Sequence, residues 1–474
     1  MKRLIIVGGG IAGLAAAYRV QEELDAGGAD VQCTLLEGGP GFGGKIATER
    51  KDGFVFERGP DSFISQKPWA IDLCNKIGLA GQLVGTNPDH SKTFVYTGKK
   101  LVRMPDGLSL MVPTKFLPFA LSPLFSIAGK IRMGMDLFIP KKPDDSDESL
   151  ASFIRRRLGE EALQKMAEPM LAGIYASDPE KMSIKSTFPM FFQTEQKYRS
   201  LVLGMLARKA QGNSSSQKKS SPYSLFMTLK NGLGEMVERI IEKSPAVSFR
   251  ANAKVEEIVR AENTWRVGLA GAETLEADAV ILASPANISA RLLEPASEKI
   301  AALLNRIKYV STAAVTLAYK AEGFSHALDG FGFVVPKAEG RKIMACTWTS
   351  SKFPHRVPDG FVMLRCFIGG ALREDLAEQS EQALEDMVKK ELLEMMGIRE
   401  EPLLCRVFKN EKANVQYHVG HGDLIDKVQA ELGSLPGMYL AGSAYTGIGI
   451  PDCILNGTRA AESVVEFFKR SQNK

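Results

Sequence analysis

Three glycines near the start of the chain, Gly8, Gly10 and Gly13, are spaced so that backbone can approach a phosphate group. They follow a short apolar run at residues 3–7 and precede an Ala-rich segment of helical period at residues 11–24. In such a unit the first glycine permits a tight turn, the second leaves room for a pyrophosphate, and the third lets helix and strand pack closely. The helix N-terminus adds unpaired N–H groups and a partial positive charge. The pattern predicts a dinucleotide site with contacts from Gly8, Gly10, Ile11, Ala12 and Gly13.

An acidic residue closes the next predicted strand, VQCTLLE, at Glu37, which is followed by Gly38. A carboxylate at this point can accept hydrogen bonds from both ribose hydroxyls. The same charge would repel a 2′-phosphate, which argues against NADP. Glu37 alone does not separate NAD from FAD.

Three further stretches favour FAD. GPGFGGKIAT brings a second close backbone approach directly after the ribose position, as a longer dinucleotide would need, with Gly44 and Lys45 as candidate contacts. ERGPDS supplies turn N–H groups and a hydroxyl, with Gly59, Pro60, Asp61 and Ser62 as candidate contacts. GIGIPD, near the C-terminus, opens a helix whose positive end would stabilise negative charge on a reduced flavin ring. The alternatives are a surface loop for the first stretch and an ordinary terminal helix for the last.

The bulk composition bounds the class of protein. A chain of 474 residues, 45% apolar and 24% charged, predicts a soluble globular protein with at least two domains. No run of 18 apolar residues lacks a charge, and a strand that starts at residue 4 leaves no room for a signal peptide, so the predicted location is cytoplasmic. A net charge of +5 is too small to predict nucleic-acid binding.

Two groups of side chains were weighed as metal or redox sites. The six cysteines form no CxxC pair, so we predict neither disulfides nor zinc. His418 and His421 in HVGH lack a third ligand nearby, so we predict no metal there either.

Composition also divides the chain. A basic Ser-rich stretch at residues 208–221 predicts a mobile surface loop, and the Pro-interrupted apolar segment at 112–139 predicts cavity lining or, as the alternative, a membrane-surface contact. Residues 309–320, 329–335, 342–349 and 361–368 are predicted strands of an antiparallel sheet, and a helix is predicted at roughly 380–396. The chain ends as it began, with strand, Gly-rich turn and helix.

Taken together, these motifs resemble the FAD-containing amine oxidase and phytoene desaturase superfamily. Four longer stretches, EPMLAGIYASDPEKMSIKSTFP, FFQTEQKYRSLVLGM, ACTWTSSKFPH and QYHVGH, closely resemble the bacterial porphyrinogen oxidases of haem synthesis. The similarity covers essentially the whole chain. One departure is that Val415 precedes Gln416 where family members often carry proline, which bears on packing near the flavin.

The resemblance implies a fold of class α/β, α+β overall. It has a Rossmann-type FAD-binding domain assembled from discontinuous segments, an antiparallel-sheet substrate domain and an inserted helical domain. The implied boundaries are 1–85, 225–300 and 430–474 for the FAD-binding domain, 90–215 for the helical insertion and 301–425 for the substrate domain.

The resemblance also implies a reaction. Coproporphyrinogen III, and also protoporphyrinogen IX, would lose six electrons in three two-electron steps through non-covalent FAD to O₂, releasing peroxide. It adds flavin contacts from Val255, Ile448, Gly449 and Ile450, and substrate contacts from Lys67, Ile174 and Tyr175. Its implied partners are the porphyrinogen, O₂ and a ferrochelatase that would receive the product; peripheral membrane contact stays open.

Pyrrole nitrogen lone pairs assist loss of hydride from a porphyrinogen, so no strong base is required and we name no catalytic acid or base. Two other classes of function remain open at this point: another FAD amine oxidase or carotenoid desaturase, and a non-catalytic flavin or tetrapyrrole-binding protein.

Overall fold

The computed structural model describes residues 1–28, 30–106, 108–109, 112–113, 116–214 and 223–472. The strands are β1 Lys2–Val7, β2 Val31–Leu36, β3 Thr48–Lys51, β4 Phe54–Glu57, β5 Phe63–Ile64, β6 Leu83–Gly85, β7 Thr93–Thr97, β8 Lys100–Arg103, β9 Leu108–Ser109, β10 Val112–Pro113, β11 Phe226–Leu229, β12 Val247–Arg250, β13 Val255–Ala261, β14 Thr264–Leu269, β15 Thr274–Ala277, β16 Ala279–Leu282, β17 Lys308–Lys320, β18 Gly332–Val334, β19 Ile343–Trp348, β20 Phe361–Gly369, β21 Leu404–Gln416 and β22 Met438–Leu440. The helices are α1 Ile11–Asp25, α2 Trp69–Lys76, α3 Phe116–Leu121, α4 Ile127–Gly134, α5 Leu150–Arg157, α6 Glu160–Ala162, α7 Glu168–Tyr175, α8 Ile184–Thr187, α9 Pro189–Tyr198, α10 Leu201–Ser214, α11 Gly234–Glu242, α12 Ala286–Leu293, α13 Glu298–Leu304, α14 Thr349–Lys352, α15 Glu374–Ala377, α16 Glu381–Met396, α17 His421–Leu432 and α18 Ile450–Gln472.

A five-stranded sheet in the order β12-β2-β1-β16-β22 contains only parallel pairs. Its strands are short apolar runs because both faces are covered, as parallel sheets require. They come from both ends and the middle of the chain. This arrangement confirms the Rossmann-type domain built from discontinuous segments.

Helices α1 and α18 follow strands of this sheet, so both N-termini lie at its carboxyl edge. The two helices pack so closely that a methyl group built at Gly457 would lie 1.9 Å from the carbonyl oxygen of Ala12. Gly457 is eight residues into α18, whereas Ala12 is second in α1. The offset between the two helix starts is thus six residues. At 1.5 Å per residue, the N-terminus of α18 extends about 9 Å further in the N-terminal direction than that of α1.

A seven-stranded sheet in the order β21-β17-β20-β19-β18-β7-β8 forms a second layer. All its pairs are antiparallel except β18 with β7. Strands β7 and β8 lie within the range 90–215 that the resemblance assigns to the helical insertion. The domain boundaries themselves stay a prediction.

Residues from Phe116 to Ser214 are mainly helical. Helix α10 runs through Ser214, so the prediction of a loop starting at residue 208 is wrong for its first part; residues 215–221 lie outside the described residues. Leu201, the first residue of this helix, is buried in the same apolar cluster as Phe153 and Ile154 of α5.

Large apolar side chains of the 112–139 segment face outward. Six of them are at least 47% exposed: Leu117, Leu121, Ile127, Ile131, Met135 and Phe138. This exposure argues against the cavity-lining interpretation for these six. Within the part of the chain that the structure describes, no helix is both long and apolar enough to cross a bilayer.

Candidate flavin and substrate site

The first glycine loop has the geometry that its spacing predicts. Gly8 has a φ of +111°, and a methyl group at Gly13 would lie 2.0 Å from the carbonyl oxygen of Gly8. Gly10 differs, because a methyl group built there meets no protein atom within 4 Å. Two of the glycines therefore close the strand–helix turn, and the third leaves space in front of the N-terminus of α1.

Glu37 sits beside this loop. Its two carboxylate oxygens accept the N–H groups of Gly9 and Gly39, each at 2.7 Å. Since each carboxylate oxygen can accept more than one hydrogen bond, both retain capacity for a ribose hydroxyl. The Glu37 carbonyl accepts the N–H of Ala253 at 2.8 Å, which brings the start of β13, with Val255, to the same place.

A second glycine segment packs on the first. The N–H of Gly43 donates to the carbonyl oxygen of Gly9 at 2.7 Å, and a methyl group at Gly44 would lie 3.2 Å from the Cα of Gly10. Burial lowers the pKa of the following Lys45 ammonium, although the nearby Cys453 thiol opposes that change. The structure therefore brings the GGK stretch to the edge of the same cradle.

Side chains from other segments donate hydrogen bonds to backbone carbonyl oxygens of the 59–62 turn. Arg365 donates to the carbonyl oxygen of Gly59 at 2.6 Å, and the Thr228 hydroxyl donates to that of Asp61 at 2.8 Å. Burial opposes ionisation of Asp61, but the charges of Lys352, at 3.3 Å, and of Arg365 outweigh it and hold its pKa well below the usual range. The Ser62 hydroxyl donates to Asp61 at 2.6 Å, so that hydroxyl proton is already used within the chain.

A buried ion pair supports this turn and was missed by the sequence analysis. Arg356 Nη1 donates to Glu57 Oε1 at 2.7 Å, and both side chains are almost fully buried. The same carboxylate accepts the N–H of Leu233 and the Thr48 hydroxyl, both at 2.7 Å. The stretch ACTWTSSKFPH, which ends just before Arg356, was the available signal.

The C-terminal loop closes the site. A methyl group at Gly447 would lie 2.4 Å from Asp452 Cγ, so the carboxylate folds back over the loop that precedes α18. Both carboxylate oxygens accept from Lys67 Nζ, at 2.6 and 2.8 Å. Ile448 and Ile450 flank Gly449 on this loop. The partner of Lys67 was also missed, because 385 residues separate the two.

The two residues of the predicted Ile174–Tyr175 pair are placed differently. Burial, together with the negative charge of Asp452, raises the pKa of the Tyr175 phenol to about 12. The Ile174 side chain is 59% exposed. The structure thus brings Lys67 to Asp452, whose charge also acts on the Tyr175 phenol, and leaves Ile174 facing outward.

His421 has a packing role in this structure. Its ring stacks on Tyr417 with centroids 3.9 Å apart, and its Nε2 lies 3.2 Å from the carbonyl oxygen of Tyr445. Burial lowers the pKa of His421 to about 4. Among the described residues, no cluster of three acidic, Cys or His side chains could hold a metal ion.

These residues fit a flavin dinucleotide. The open space at Gly10, the free capacity of Glu37 and the start of α18 all lie at the carboxyl edge of the parallel sheet. Such an edge is where doubly wound sheets bind dinucleotides.

Comparison with known proteins agrees with this geometry. The family of flavin containing amine oxidoreductases matches residues 11–465. The chain is 37% identical to coproporphyrinogen III oxidase of Bacillus subtilis (strain 168), over 98% of each chain, and 30% identical to protoporphyrinogen oxidase of Bos taurus, also over 98% of each. A solved structure from Exiguobacterium sp. 255-15, provisionally named protoporphyrinogen oxidase, superposes with a TM-score of 0.87 at 34% identity and covers 98% of this chain and 99% of that one. The chain therefore belongs to the flavin-containing amine oxidoreductases, in the branch that holds the coproporphyrinogen III and protoporphyrinogen oxidases.

Proposed function

We propose that this protein oxidises coproporphyrinogen III to coproporphyrin III in haem biosynthesis, and also accepts protoporphyrinogen IX. Bound FAD would supply the two-electron redox chemistry of each step, with O₂ as the electron acceptor. The observation that carries the proposal is the 37% identity to a coproporphyrinogen III oxidase across 98% of both chains. The space at Gly10 and the Lys67–Asp452 ion pair support it.

Three steps complete the reaction. Over the three steps four C–H bonds and two N–H bonds of the porphyrinogen break in total, each step removes two electrons and two protons, and one O₂ becomes one H₂O₂ per step. The chain's task is to hold a meso carbon against the cofactor and to exclude water, since aromatic conjugation drives the product. The Tyr175 phenol, with its pKa raised to about 12, stays protonated at neutral pH, so it is not a base in this scheme.

We further propose that FAD is bound without a covalent bond. Cys453 is the cysteine nearest the flavin-facing loop, and burial raises the pKa of its thiol to about 12. A thiol of this kind is a poor nucleophile because the thiolate is the reactive form. Denaturation should release free FAD into the filtrate; flavin that stays with the precipitated chain would refute this part.

The proposed activity is tested by its stoichiometry. Purified protein reconstituted with FAD is mixed with coproporphyrinogen III in air, and porphyrin absorbance, O₂ uptake and peroxide are recorded together. We expect three O₂ consumed and three H₂O₂ released per porphyrin. Porphyrin formation no faster than the spontaneous reaction would contradict the proposal.

The same preparation separates the rival functions. An amine oxidase would release peroxide with an amine, and a carotenoid desaturase would dehydrogenate phytoene. A non-catalytic binder would change its flavin spectrum on adding coproporphyrin but release no peroxide with the porphyrinogen. We expect neither amine nor phytoene to be turned over.

We propose a cytoplasmic protein with peripheral membrane contact. Ile127, Ile131, Met135 and Phe138 are spaced four, four and three residues apart, which places these exposed side chains on one face of α4 and the turn after it. Wild-type protein should sediment with anionic liposomes, and an Ile131→Glu/Phe138→Glu variant should not. A matched control, Leu403→Glu, changes an exposed leucine that directly precedes β21, and this variant should still sediment. Wild-type protein that stays in the supernatant would exclude the contact.

A ferrochelatase is the proposed receiver of the product. The test compares the rate at which the ferrochelatase uses porphyrin made by this protein with the rate at which it uses an equal amount of added free porphyrin. We expect the first rate to be higher. Equal rates in the two mixtures would remove this partner from the proposal.

A further inference from the structure

Lys67 and Asp452 form an ion pair at the flavin-facing end of α18. Lys67 Nζ lies 2.6 and 2.8 Å from the two carboxylate oxygens. The Lys67 side chain is 44% exposed, whereas that of Asp452 is 14% exposed. The carboxylate is therefore the fixed member of the pair, and the ammonium keeps an open side.

The loop before α18 is shaped to place this carboxylate. A methyl group at Gly447 would lie 2.4 Å from Asp452 Cγ, and one at Gly449 would lie 3.3 Å from Oδ2. Larger side chains at these two positions would push the carboxylate out of place. Asp452 also lies in the first helical turn of α18, where the helix dipole stabilises a negative charge.

A lysine side chain has four rotatable bonds, so its ammonium group has no fixed position of its own. A carboxylate partner that restricts the side chain lowers the entropy lost when the ammonium binds a ligand carboxylate. An ammonium group carries three N–H donors. Pairing with Asp452 leaves at least one donor for a ligand on the exposed side.

We propose that Asp452 is a positioning residue that holds the Lys67 ammonium where it receives one carboxylate of the porphyrinogen, so that the pair selects substrates with anionic side chains. This inference rests on the proposed function and extends it, because it names what distinguishes a carboxylated tetrapyrrole from an uncharged one. Asp452 acts only through Lys67. Its effect must therefore vanish when Lys67 is absent.

The test compares coproporphyrinogen III with its tetramethyl ester, which has the same ring and no charge. Four holoenzymes are assayed: wild type, Asp452→Asn, Lys67→Met and the double variant. We expect both single variants to lower the acid-to-ester ratio of kcat/KM by about tenfold, through KM of the acid, because a hydrogen bond between charged groups is lost or misdirected. The ester should be oxidised at an unchanged rate, and the double variant should resemble Lys67→Met.

Three results would overturn the proposal. They are an unchanged ratio in Asp452→Asn, equal losses for acid and ester, and additive losses in the double variant. A matched control is Glu22→Gln, which removes the 2.8 Å ion pair between Lys76 and Glu22 on the same domain and should leave the ratio unchanged. If the wild type oxidises neither substrate, the proposed function fails, and the affinity ratio of coproporphyrin III to its ester, measured by flavin fluorescence, still tests the pair.

Discussion

A methyl group at Gly10 should weaken cofactor binding without weakening the fold. Gly10 has φ −70° and ψ 174°, a conformation that any residue adopts, and a Cβ there meets no protein atom within 4 Å. Gly10→Ala should therefore leave the free energy of unfolding of the apoprotein unchanged, or raise it by about 0.4–1 kcal/mol through the unfolded state. The methyl group instead fills the space in front of the N-terminus of α1.

The expected loss in affinity follows from what that space holds. A pyrophosphate pushed away from the α1 N-terminus loses at least one hydrogen bond to a charged group, worth about 1.5–3 kcal/mol. The dissociation constant for FAD should rise roughly 10- to 100-fold. Flavin fluorescence quenching on titration of the apoprotein measures it, and urea unfolding of the apoprotein measures stability.

Two other glycines supply the comparison. Gly13→Ala puts a methyl group 2.0 Å from a backbone oxygen, so this variant should lose about 3 kcal/mol or more of stability. Gly81→Ala, where a built methyl group meets nothing within 4 Å and no cofactor is expected, should change neither property. FAD affinity within twofold of wild type in Gly10→Ala would refute the placement of the pyrophosphate.

Three more perturbations test the scaffold. Arg356→Met leaves the Glu57 carboxylate buried without its cation and should cost about 3–5 kcal/mol in urea unfolding, part of which Glu57→Gln should restore; an unchanged midpoint would contradict the role of the pair. The pKa of His421 is lowered from 6.5 to about 4, so its contribution to stability is complete above pH 6.5 and is lost as the pH falls toward 4, by about 2 kcal/mol at pH 5. His421→Phe cannot titrate and should therefore show a smaller drop in Tm between pH 7 and pH 5 than wild type; an equal drop would assign the effect elsewhere. Gly457→Ala places a methyl group 1.9 Å from the carbonyl oxygen of Ala12, so it should lower both Tm and FAD affinity, and a normal Tm would show that α18 shifts without cost.

Local patterns predicted the parts of this fold whose structure depends on neighbouring residues. The Gly8-x-Gly10-x-x-Gly13 spacing and Glu37 mark one strand–loop–helix–strand unit, and the structure has it within residues 2–37. The strand expected at residues 309–320 is β17, at Lys308–Lys320. Most of its residues are buried, which is why its apolar residues form a continuous run. The helix expected at about 380–396 is α16, at Glu381–Met396.

Pairings between distant segments could not be predicted in this way. Glu57 and Arg356 are 299 residues apart, so no local spacing or periodicity links the two. The parallel pairing of β18 with β7 joins residues 332–334 to residues 93–95, across the helical segment. Such contacts depend on how the sheets assemble, and only the resemblance to a family carries that information in the sequence.

The central claim is that a flavin bound along this edge takes electrons directly from a porphyrinogen. The most direct measurement is anaerobic mixing of the FAD-loaded protein with coproporphyrinogen III in a stopped-flow spectrophotometer. We predict that the visible band of oxidised flavin bleaches at a rate that rises with substrate concentration, and that it returns when O₂ is admitted. A band that persists while coproporphyrinogen III is present and FAD remains bound would contradict the claim.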